Sequence, residues 1–318
     1  MLKKIETVLV GTSLSDASDE VVRNGLRLAA ASGARVYLVY AYTPTMTYSA
    51  PFIPLLTTDE VLRIERTPIE EALQAQVRRL EIPPAQLAGA SVEVGPPHRV
   101  LMDTARRVHA DLIVVGAVER PHVAKLFGST ADRLLRKVDR PLLVTRGALT
   151  VPPRRVLLPV DLSPLSTEEL RCGLHVLDGL DPGRQAELEA LFVVTELHRE
   201  MFQQRPAQGT VEEQAEHALD RFLEATAAGA GWDVGRRVVF GYVDQGILAR
   251  IQELEPDLAV LGTHGAGGFE RFIIGSVAAT IASRSPGSVL VIPPQAAWEE
   301  GITAPVAQTS AEPEASRR

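Results

Sequence analysis

Cysteine is nearly absent from this sequence, since Cys172 is the one such residue in 318. A disulfide framework is therefore excluded, and a cytoplasmic location is expected. No stretch approaches the roughly 20 apolar residues of a membrane span, and no apolar segment of signal-peptide length follows Lys3 and Lys4. The chain also lacks an excess of basic residues, because 40 acidic residues outnumber 33 basic ones and the net charge is −7. A general nucleic-acid binder normally shows a basic face, so neither nucleic acid nor a membrane is an expected partner.

Metal-ligand spacing is absent as well, because the seven histidines are scattered along the chain. What the sequence has in quantity is apolar residues, at 45%, which is ample for a packed core. A length of 318 residues usually corresponds to two domains. Short apolar runs alternate with helical patterns, and this alternation predicts a parallel sheet with helices on both faces.

The order of these elements occurs twice. Gly95 and Gly241 are 146 positions apart (241 − 95), and so are Gly116 and Gly262 (262 − 116). Ser15 and Ser163, each just after the first strand of its half, are 148 apart (163 − 15). A shared element order at a nearly constant offset indicates an internal duplication.

Two capping-box patterns mark helix starts between these strands. Thr67-Pro68-Ile69-Glu70 predicts a helix that starts at Thr67, with proline at its first position. Thr210-Val211-Glu212-Glu213 predicts a second helix, which runs to about Ala228.

The most informative stretch is a strand, a glycine-rich loop and a helix start near the end of the second half. Leu258–Leu261 is a buried-strand pattern, a loop with several glycines follows, and Gly275-Ser276 opens a helical segment. Glycines let the backbone approach an anion, and the first amides of a helix attract phosphate. Neither a P-loop lysine nor the dinucleotide-binding glycine spacing is present.

The spacing Gly262-x2-Gly265-x9-Gly275-Ser276 resembles the nucleotide motif of the universal stress protein family, in particular its ATP-binding members. The resemblance covers about residues 3–147 and 153–294. It implies an α/β fold with two tandem Rossmann-like domains of the adenine nucleotide alpha hydrolase-like type. Each would have a five-stranded parallel sheet in the order 3-2-1-4-5, with helices on both faces. The expected domains are 1–150 and 151–295, followed by a disordered tail, 296–318.

The resemblance also implies which residues of the second half bind ATP. Asp161 and Val193 would lie near the ribose and the base, and Gly265 and Gly275 would lie at the phosphates. Mg²⁺ or Mn²⁺ would be held mainly by phosphate oxygens, and no residue is expected to be catalytic. The complete expected site is Pro159, Val160, Asp161, Val193, Leu261, Gly262, Thr263, His264, Gly265, Gly275, Ser276 and Val277.

The first half departs from this motif. Ser13 stands where Asp161 stands, and Glu119 replaces the glycine equivalent to Gly265. A carboxylate at a phosphate cradle repels phosphate, so no ATP is expected there. The residues of this degenerate site are Thr12, Ser13, Gly116, Glu119, Gly128 and Ser129.

The candidate nucleotide-binding residues of the second half also have a purely structural interpretation. Gly262 and Gly265 are compatible with simple turns, and Asp161 with capping the turn that follows its strand. Ser276 is expected to be a helix N-cap under either interpretation. His264 has no partner acid or nucleophile in the loop, so a backbone or surface role is expected for it.

The family resemblance further suggests pairing through last strands. Leu142–Val144 would pair with Val289–Val291, which makes a pseudo-dimer within one chain, and a homodimer of two chains is a further option. The expected function is regulatory, with nucleotide occupancy altering shape or partner surface in a stress response. The alternatives are a slow ATPase or nucleotidyl-transfer enzyme, and a scaffold that binds no nucleotide.

Overall fold

The computed structural model describes residues 4–44, 58–117, 129–204, 209–227, 230–263 and 275–293. Strands and helices alternate through both halves, as the sequence predicts. The described elements of the first half are, in chain order, β1 (Thr7–Thr12), α1 (Asp16–Ser32), β2 (Arg35–Tyr42), α2 (Thr58–Arg79), β3 (Leu87–Val94), α3 (Pro97–Arg107), β4 (Leu112–Gly116), α4 (Ser129–Leu135) and β5 (Leu142–Thr145).

The second half repeats this order and adds one short helix. Its described elements are β6 (Arg155–Val160), α5 (Pro164–Leu180), β7 (Glu187–Val194), α6 (Glu196–Gln203), α7 (Val211–Ala227), β8 (Val234–Phe240), α8 (Val243–Leu254), β9 (Leu258–Gly262), α9 (Ser276–Arg284) and β10 (Ser288–Ile292). The added helix is α6, which no sequence pattern used above predicts.

The ten strands of the described residues form one sheet, in the order β3-β2-β1-β4-β5-β10-β9-β6-β7-β8. Within each half the neighbouring strands are parallel, and their order is third, second, first, fourth, fifth. This is the order that the family resemblance implies for each domain. The halves meet where β5 pairs with β10, and this pair is antiparallel.

The register of that junction follows the sequence-based expectation. Leu142, Leu143 and Val144 lie opposite Val291, Leu290 and Val289, respectively. The predicted pairing through last strands within one chain is therefore confirmed. We call this strand pair the seam.

The apolar core consists of two layers, one on each face of the sheet. Val8 and Val10 of β1 point into one layer, and Leu9 points into the other, because successive side chains of a strand alternate. Helices α1, α2, α5 and α7 contribute to the first layer, and α3, α4, α8 and α9 to the second. The central strands read as nearly continuous apolar runs because both of their faces are covered, whereas the edge strands β3 and β8 contain polar residues and are more exposed.

One predicted helix start is wrong, and the other is confirmed. Thr67 and Pro68 lie inside α2, which begins at Thr58. The Thr67 hydroxyl donates to the Arg63 carbonyl oxygen at 3.0 Å, within the helix, so it caps nothing at the N-terminus. At α7, by contrast, the Thr210 amide donates to a Glu213 carboxylate at 2.8 Å and the Glu213 amide to the Thr210 hydroxyl at 3.2 Å.

Candidate functional site

The candidate site lies at the edge of the sheet where the strands of the second half have their carboxyl ends. β6 and β9 are neighbours there, and the helices that follow them, α5 and α9, pack on opposite faces. Ligands of open parallel sheets bind at such a point, where the strand order reverses. The topology thus brings the end of β6, with Asp161, to the end of β9, with Gly262.

A cavity of about 880 Å³ opens at this edge, beyond the ends of β7 and β8. This volume falls in the range of small-molecule sites, roughly 300–1,000 Å³. Ser276 and Val277, both expected from the sequence, lie in its wall on the first turn of α9. The lining residues are Val194, Thr195, Glu196, Leu197, Arg199, Phe240, Gly241, Tyr242, Val243, Asp244, Ser276, Val277 and Thr280.

The start of α9 differs from the expectation in one respect. The N-cap residue is Gly275, with extended backbone, and Ser276 is the first helical residue, so the expectation that Ser276 is the N-cap is wrong. No side chain caps this end within the described residues. Ser276 is exposed on the cavity side. First-turn amides without a side-chain cap are suited to accept an anion from outside the helix.

Asp161 organises the turn between β6 and α5. One of its carboxylate oxygens accepts a hydrogen bond from the Ser163 amide at 3.0 Å. Ser163 is the N-cap of α5, and its hydroxyl accepts from the Ser166 amide at 3.1 Å. The turn-capping role that the sequence left open for Asp161 is therefore present, and it fixes the carboxylate at the edge of the sheet.

Helix α6 brings a histidine to the same place, and the sequence analysis missed it. Nδ1 of His198 accepts from the Thr195 amide at 3.2 Å, so Thr195 and His198 form a capping box around the start of α6. The His198 ring packs against Phe192 with 5.2 Å between centroids. Burial lowers the pKa of His198, and nearby Asp161 opposes that effect. The Thr-x-x-His pattern after a strand was the available signal, although glutamate or glutamine is usual there.

Aromatic and apolar side chains form the outer wall of the cavity, which the sequence analysis also missed. The exposed fractions are 74% for Tyr242, 40% for Phe240 and 64% for Leu197. The Arg199 guanidinium lies 5.6 Å from the centre of the Phe240 ring. Exposed aromatic rings suit stacking with a planar ring, and the neighbouring guanidinium is a cation held by the face of the Phe240 ring. The sequence signal for Phe240 and Tyr242 was their position on either side of Gly241, at the end of β8.

Most of the expected site residues that lie on strands have their side chains buried in the core, so mainly their main-chain atoms are available at the edge of the sheet. The side chains of Val160, Val193 and Leu261 are buried in the core, and Pro159 lies inside β6. Thr263 is buried too, and its amide donates to the Ile292 carbonyl at 3.0 Å and to the Glu169 carboxylate at 2.8 Å. These strands therefore present main-chain atoms rather than side chains at this edge of the sheet.

Comparison with protein families decides the affiliation. The model of the universal stress protein family matches residues 4–146 and again residues 153–293. This chain belongs to the universal stress protein family. The two matches correspond to the two halves of the sheet and cover most of the chain.

Relatives of similar length are also universal stress proteins. A universal stress protein of Mycolicibacterium smegmatis is 27% identical over 307 residues, which cover 91% of this chain and 97% of the relative. The crystal structure of a universal stress protein from Archaeoglobus fulgidus is 19% identical and aligns with a TM-score of 0.65, covering 90% of this chain and 98% of that one. A putative universal stress protein from Pseudomonas aeruginosa, 16% identical, gives the same TM-score of 0.65 over 94% of this chain and 96% of that one. These likenesses show the fold.

The first universal stress protein half carries a closed polar network at the equivalent edge. The Thr12 hydroxyl donates to the Gln76 side chain at 2.9 Å and also contacts the Ser18 hydroxyl at 3.0 Å. Gln76 is fully buried and donates to Asp19 at 2.7 Å. The Ser13 hydroxyl contacts the Ser15 hydroxyl at 2.8 Å. Polar groups that would have to face a ligand are thus hydrogen-bonded within the protein.

Several expected site positions of this universal stress protein lie outside the described residues. They are His264 and Gly265 in the second half and Glu119 and Gly128 in the first. Gly116 ends β4 and Ser129 begins α4, as the motif spacing requires. The expected tail, 296–318, also lies outside the described residues.

Neither a metal cluster nor a membrane helix is found in the part of the chain that the structure describes. No group of three or more His, Cys, Asp or Glu side chains there could hold a metal ion. Likewise, none of the described helices is both long and apolar enough to cross a membrane.

Proposed function

We propose that the second half of this universal stress protein binds an adenine nucleotide, with ATP as the first candidate. Occupancy of that site would regulate the shape or the partner surface of the protein in a cytoplasmic stress response. The observation that carries the proposal is the cavity of about 880 Å³ at the first turn of α9, where no side chain of the described residues caps the helix. The proposal requires binding and no chemistry.

The helix end and the aromatic surface at the cavity favour a nucleotide, whereas the carboxylates of Glu196 and Asp244, which also line it, do not. The positive end of the α9 dipole, at Gly275 and Ser276, suits phosphate oxygens. Phe240 and Tyr242 supply aromatic surface for a purine ring. Asp161 accepts from the Ser163 amide at the end of β6, outside the cavity lining, and we propose that it accepts hydrogen bonds from ribose hydroxyls. His264 and Gly265 of the expected set remain part of the proposed site.

We propose that Mg²⁺ or Mn²⁺ accompanies ATP on its phosphate oxygens. The ion would neutralise phosphate charge, and the protein would contribute amides and the Ser276 hydroxyl.

The first half would serve as a structural partner that does not bind ATP. Its Thr12 hydroxyl is already bonded to Gln76 and Ser18, and Ser13 stands in place of Asp161. Glu119 adds a like charge near the equivalent phosphate position. The domain limits 1–150 and 151–295, the disordered tail and a homodimer of two chains complete the proposal.

The nucleotide content of the purified protein tests this proposal. The protein is denatured, and the supernatant is separated by ion-exchange chromatography, before and after incubation with ATP and Mg²⁺. One adenine nucleotide per chain is the expected result. Two per chain would contradict the assignment of the first half, and none would favour a scaffold. Release of phosphate or pyrophosphate well above background would favour an enzyme.

A matched pair of variants locates the nucleotide. Ser276 and Ser129 are the first residues of α9 and α4, respectively, the two equivalent helices. A carboxylate at either position is compatible with the helix dipole, so both variants are expected to fold. Ser276→Glu is expected to lower ATP affinity at least tenfold, roughly 1.4 kcal/mol, by repelling phosphate. Ser129→Glu is expected to leave it unchanged, and equal effects would contradict the placement.

A further inference from the structure

A buried carboxylate lies beneath the start of the proposed phosphate site. Glu169, in the middle of α5, is 3% exposed. Its Oε1 accepts hydrogen bonds from the Thr263 amide at 2.8 Å and from the Thr263 hydroxyl at 3.3 Å. Burial of a carboxylate is unfavourable unless hydrogen bonds compensate for lost water, so its position here requires an explanation.

The same carboxylate explains why residue 262 is a glycine. A Cβ added at position 262 would overlap the Glu169 carboxylate group, which occupies the space over this glycine. The absence of a side chain at Gly262 therefore lets Glu169 reach the backbone of Thr263. The motif glycine and the buried acid form one structural unit.

Thr263 in turn holds the start of α9. The Gly275 amide donates to the Thr263 carbonyl oxygen at 2.6 Å. Thr263 thus donates its amide proton to Glu169 and accepts a hydrogen bond from the Gly275 amide at its carbonyl oxygen. Because the Thr263 amide also donates to the Ile292 carbonyl oxygen of β10, the carboxylate and β10 together hold the residue to which the first turn of α9 is bonded.

The first half shows that the fold does not need a carboxylate at this place. The equivalent of Gly262 is Gly116, where an added Cβ would lie 2.7 Å from Cγ2 of Val21. Val21 and Glu169 are 148 positions apart (169 − 21), the same offset as Ser15 and Ser163. Valine therefore fills the space in the half without the proposed site, and glutamate fills it in the half that has the site.

We propose that Glu169 is a positioning residue for the phosphates of the bound nucleotide. It acts through Thr263 on the Gly275 amide and the first turn of α9, and it touches no ligand itself. This inference rests on the proposed function, because it assigns the control of affinity in that same site. Its distinguishing claim is that a hydrogen-bond acceptor at position 169 sets ATP affinity.

Two substitutions separate the acceptor from the space it fills. Glu169→Val introduces the residue type that occupies the equivalent place in the first half, Val21. It therefore fills the space over the glycine but removes the hydrogen-bond acceptor. Glu169→Gln retains an oxygen that can accept from the Thr263 amide. Glu169→Val is expected to lower ATP affinity at least tenfold in equilibrium dialysis, and Glu169→Gln to remain within threefold of the unmodified protein.

Asp181→Asn is the matched control. Asp181 follows the same helix, is 2% exposed, and accepts from the amides of Gln185 and Ala186 at 2.6 and 2.8 Å. This variant is expected to lower the Tm without a change in ATP affinity. Affinity of Glu169→Val within twofold of the unmodified protein would overturn the proposal. Equal loss in Glu169→Val and Glu169→Gln would also overturn it.

Hydrogen exchange of the free protein distinguishes this inference from the proposed function. If the unmodified protein binds no ATP, the proposed function fails on that measurement alone. Faster exchange of the Thr263 and Gly275 amides in Glu169→Val than in Glu169→Gln would still support positioning by the carboxylate. Identical exchange at both amides would overturn it, whether or not ATP binds.

Discussion

Gly262 and Glu169 are a mutually dependent pair at the scale of single residues. The glycine has no side chain where the buried carboxylate lies, and the carboxylate then reaches the Thr263 amide at 2.8 Å. Glycine is needed here for close approach between helix and strand rather than for a special backbone angle. A substitution at one member is expected to change the effect of a substitution at the other.

Gly262→Ala is expected to destabilise the second half, because the new methyl group forces Glu169 away from Thr263. Overpacking of this kind costs about 1–3 kcal/mol. The same change in a Glu169→Ala background is expected to cost less, since the carboxylate is gone. Urea unfolding of both single variants and the double variant measures this coupling, and additive effects would contradict the pair.

His198 gives a pH dependence at the same scale. Burial lowers its folded-state pKa below the ordinary value of about 6.5, against the opposing effect of Asp161. The unfolded state therefore binds the proton more readily. The contribution of His198 to the free energy of unfolding is fully present above the pKa of the unfolded state. It is lost as the pH falls below that value through the lower pKa of the folded state. Protonation at Nδ1 also removes the acceptor for the Thr195 amide.

His198→Gln is expected to flatten this dependence, because glutamine can replace histidine in the capping box without titrating. Unfolding free energies of both proteins between about pH 7.5 and 5 provide the measurement. The difference between the two curves matters, since burial also lowers the pKa of His98. Parallel curves for the two proteins would show that His198 does not contribute.

At the scale of elements, the predictable parts are those with a strong local pattern. The apolar runs of the strands and the Thr210–Glu213 capping box are such patterns, and the structure contains both. Helix α6 escaped prediction because it has only eight residues and its capping box uses a histidine. The start of α2 was misplaced because Pro68 resembles a first helical residue, whereas the helix continues through it.

The parts of the site that could not be predicted depend on tertiary contacts. A glutamate within a helix is typical of a solvent-facing position, and only the neighbouring Gly262 makes room for Glu169 inside. Phe240 ends a strand and Tyr242 follows it, and their exposure at a cavity between α6 and α9 depends on the tertiary arrangement. Spacing predicted the start of α9 near Gly275 because the glycine motif is local.

The capping box of α7 allows a prediction for this element. Thr210→Ala is expected to destabilise the protein by about 1 kcal/mol, because the Glu213 amide loses its acceptor. Thr210→Ser retains the hydroxyl and is expected to show a much smaller effect. The urea midpoint should shift while the slope stays constant. Equal midpoints for the alanine and serine variants would mean that the cap contributes nothing.

At the scale of the whole molecule, an arginine of the first half holds a helix of the second. Arg146 follows β5, and its guanidinium donates to the carbonyls of Ala282 and Ser283 at 2.8 and 3.0 Å, at the end of α9. It also donates to the Gly287 carbonyl at 3.3 Å. A cation at this end complements the helix dipole, so the first half stabilises the helix whose other end faces the cavity.

Arg146→Ala is expected to destabilise the second half by about 2 kcal/mol, because buried carbonyls lose a charged donor. Arg146→Lys is expected to recover only part of this, since one ammonium cannot reproduce the planar fork. Arg136→Ala serves as the control, because Arg136 pairs with Asp132 on the exposed surface of α4. Equal stability of the Arg146 and Arg136 alanine variants would contradict the contact between halves.

The seam has a consequence for how the protein behaves at different concentrations. β5 and β10 each have a strand on both sides, so neither offers a free edge to another chain. Two domains joined covalently meet at an effective concentration that does not depend on how much protein is present. Dilution cannot separate them, and subunits of related proteins cannot exchange through this edge. A chain at low concentration would keep the same paired architecture as a chain at high concentration.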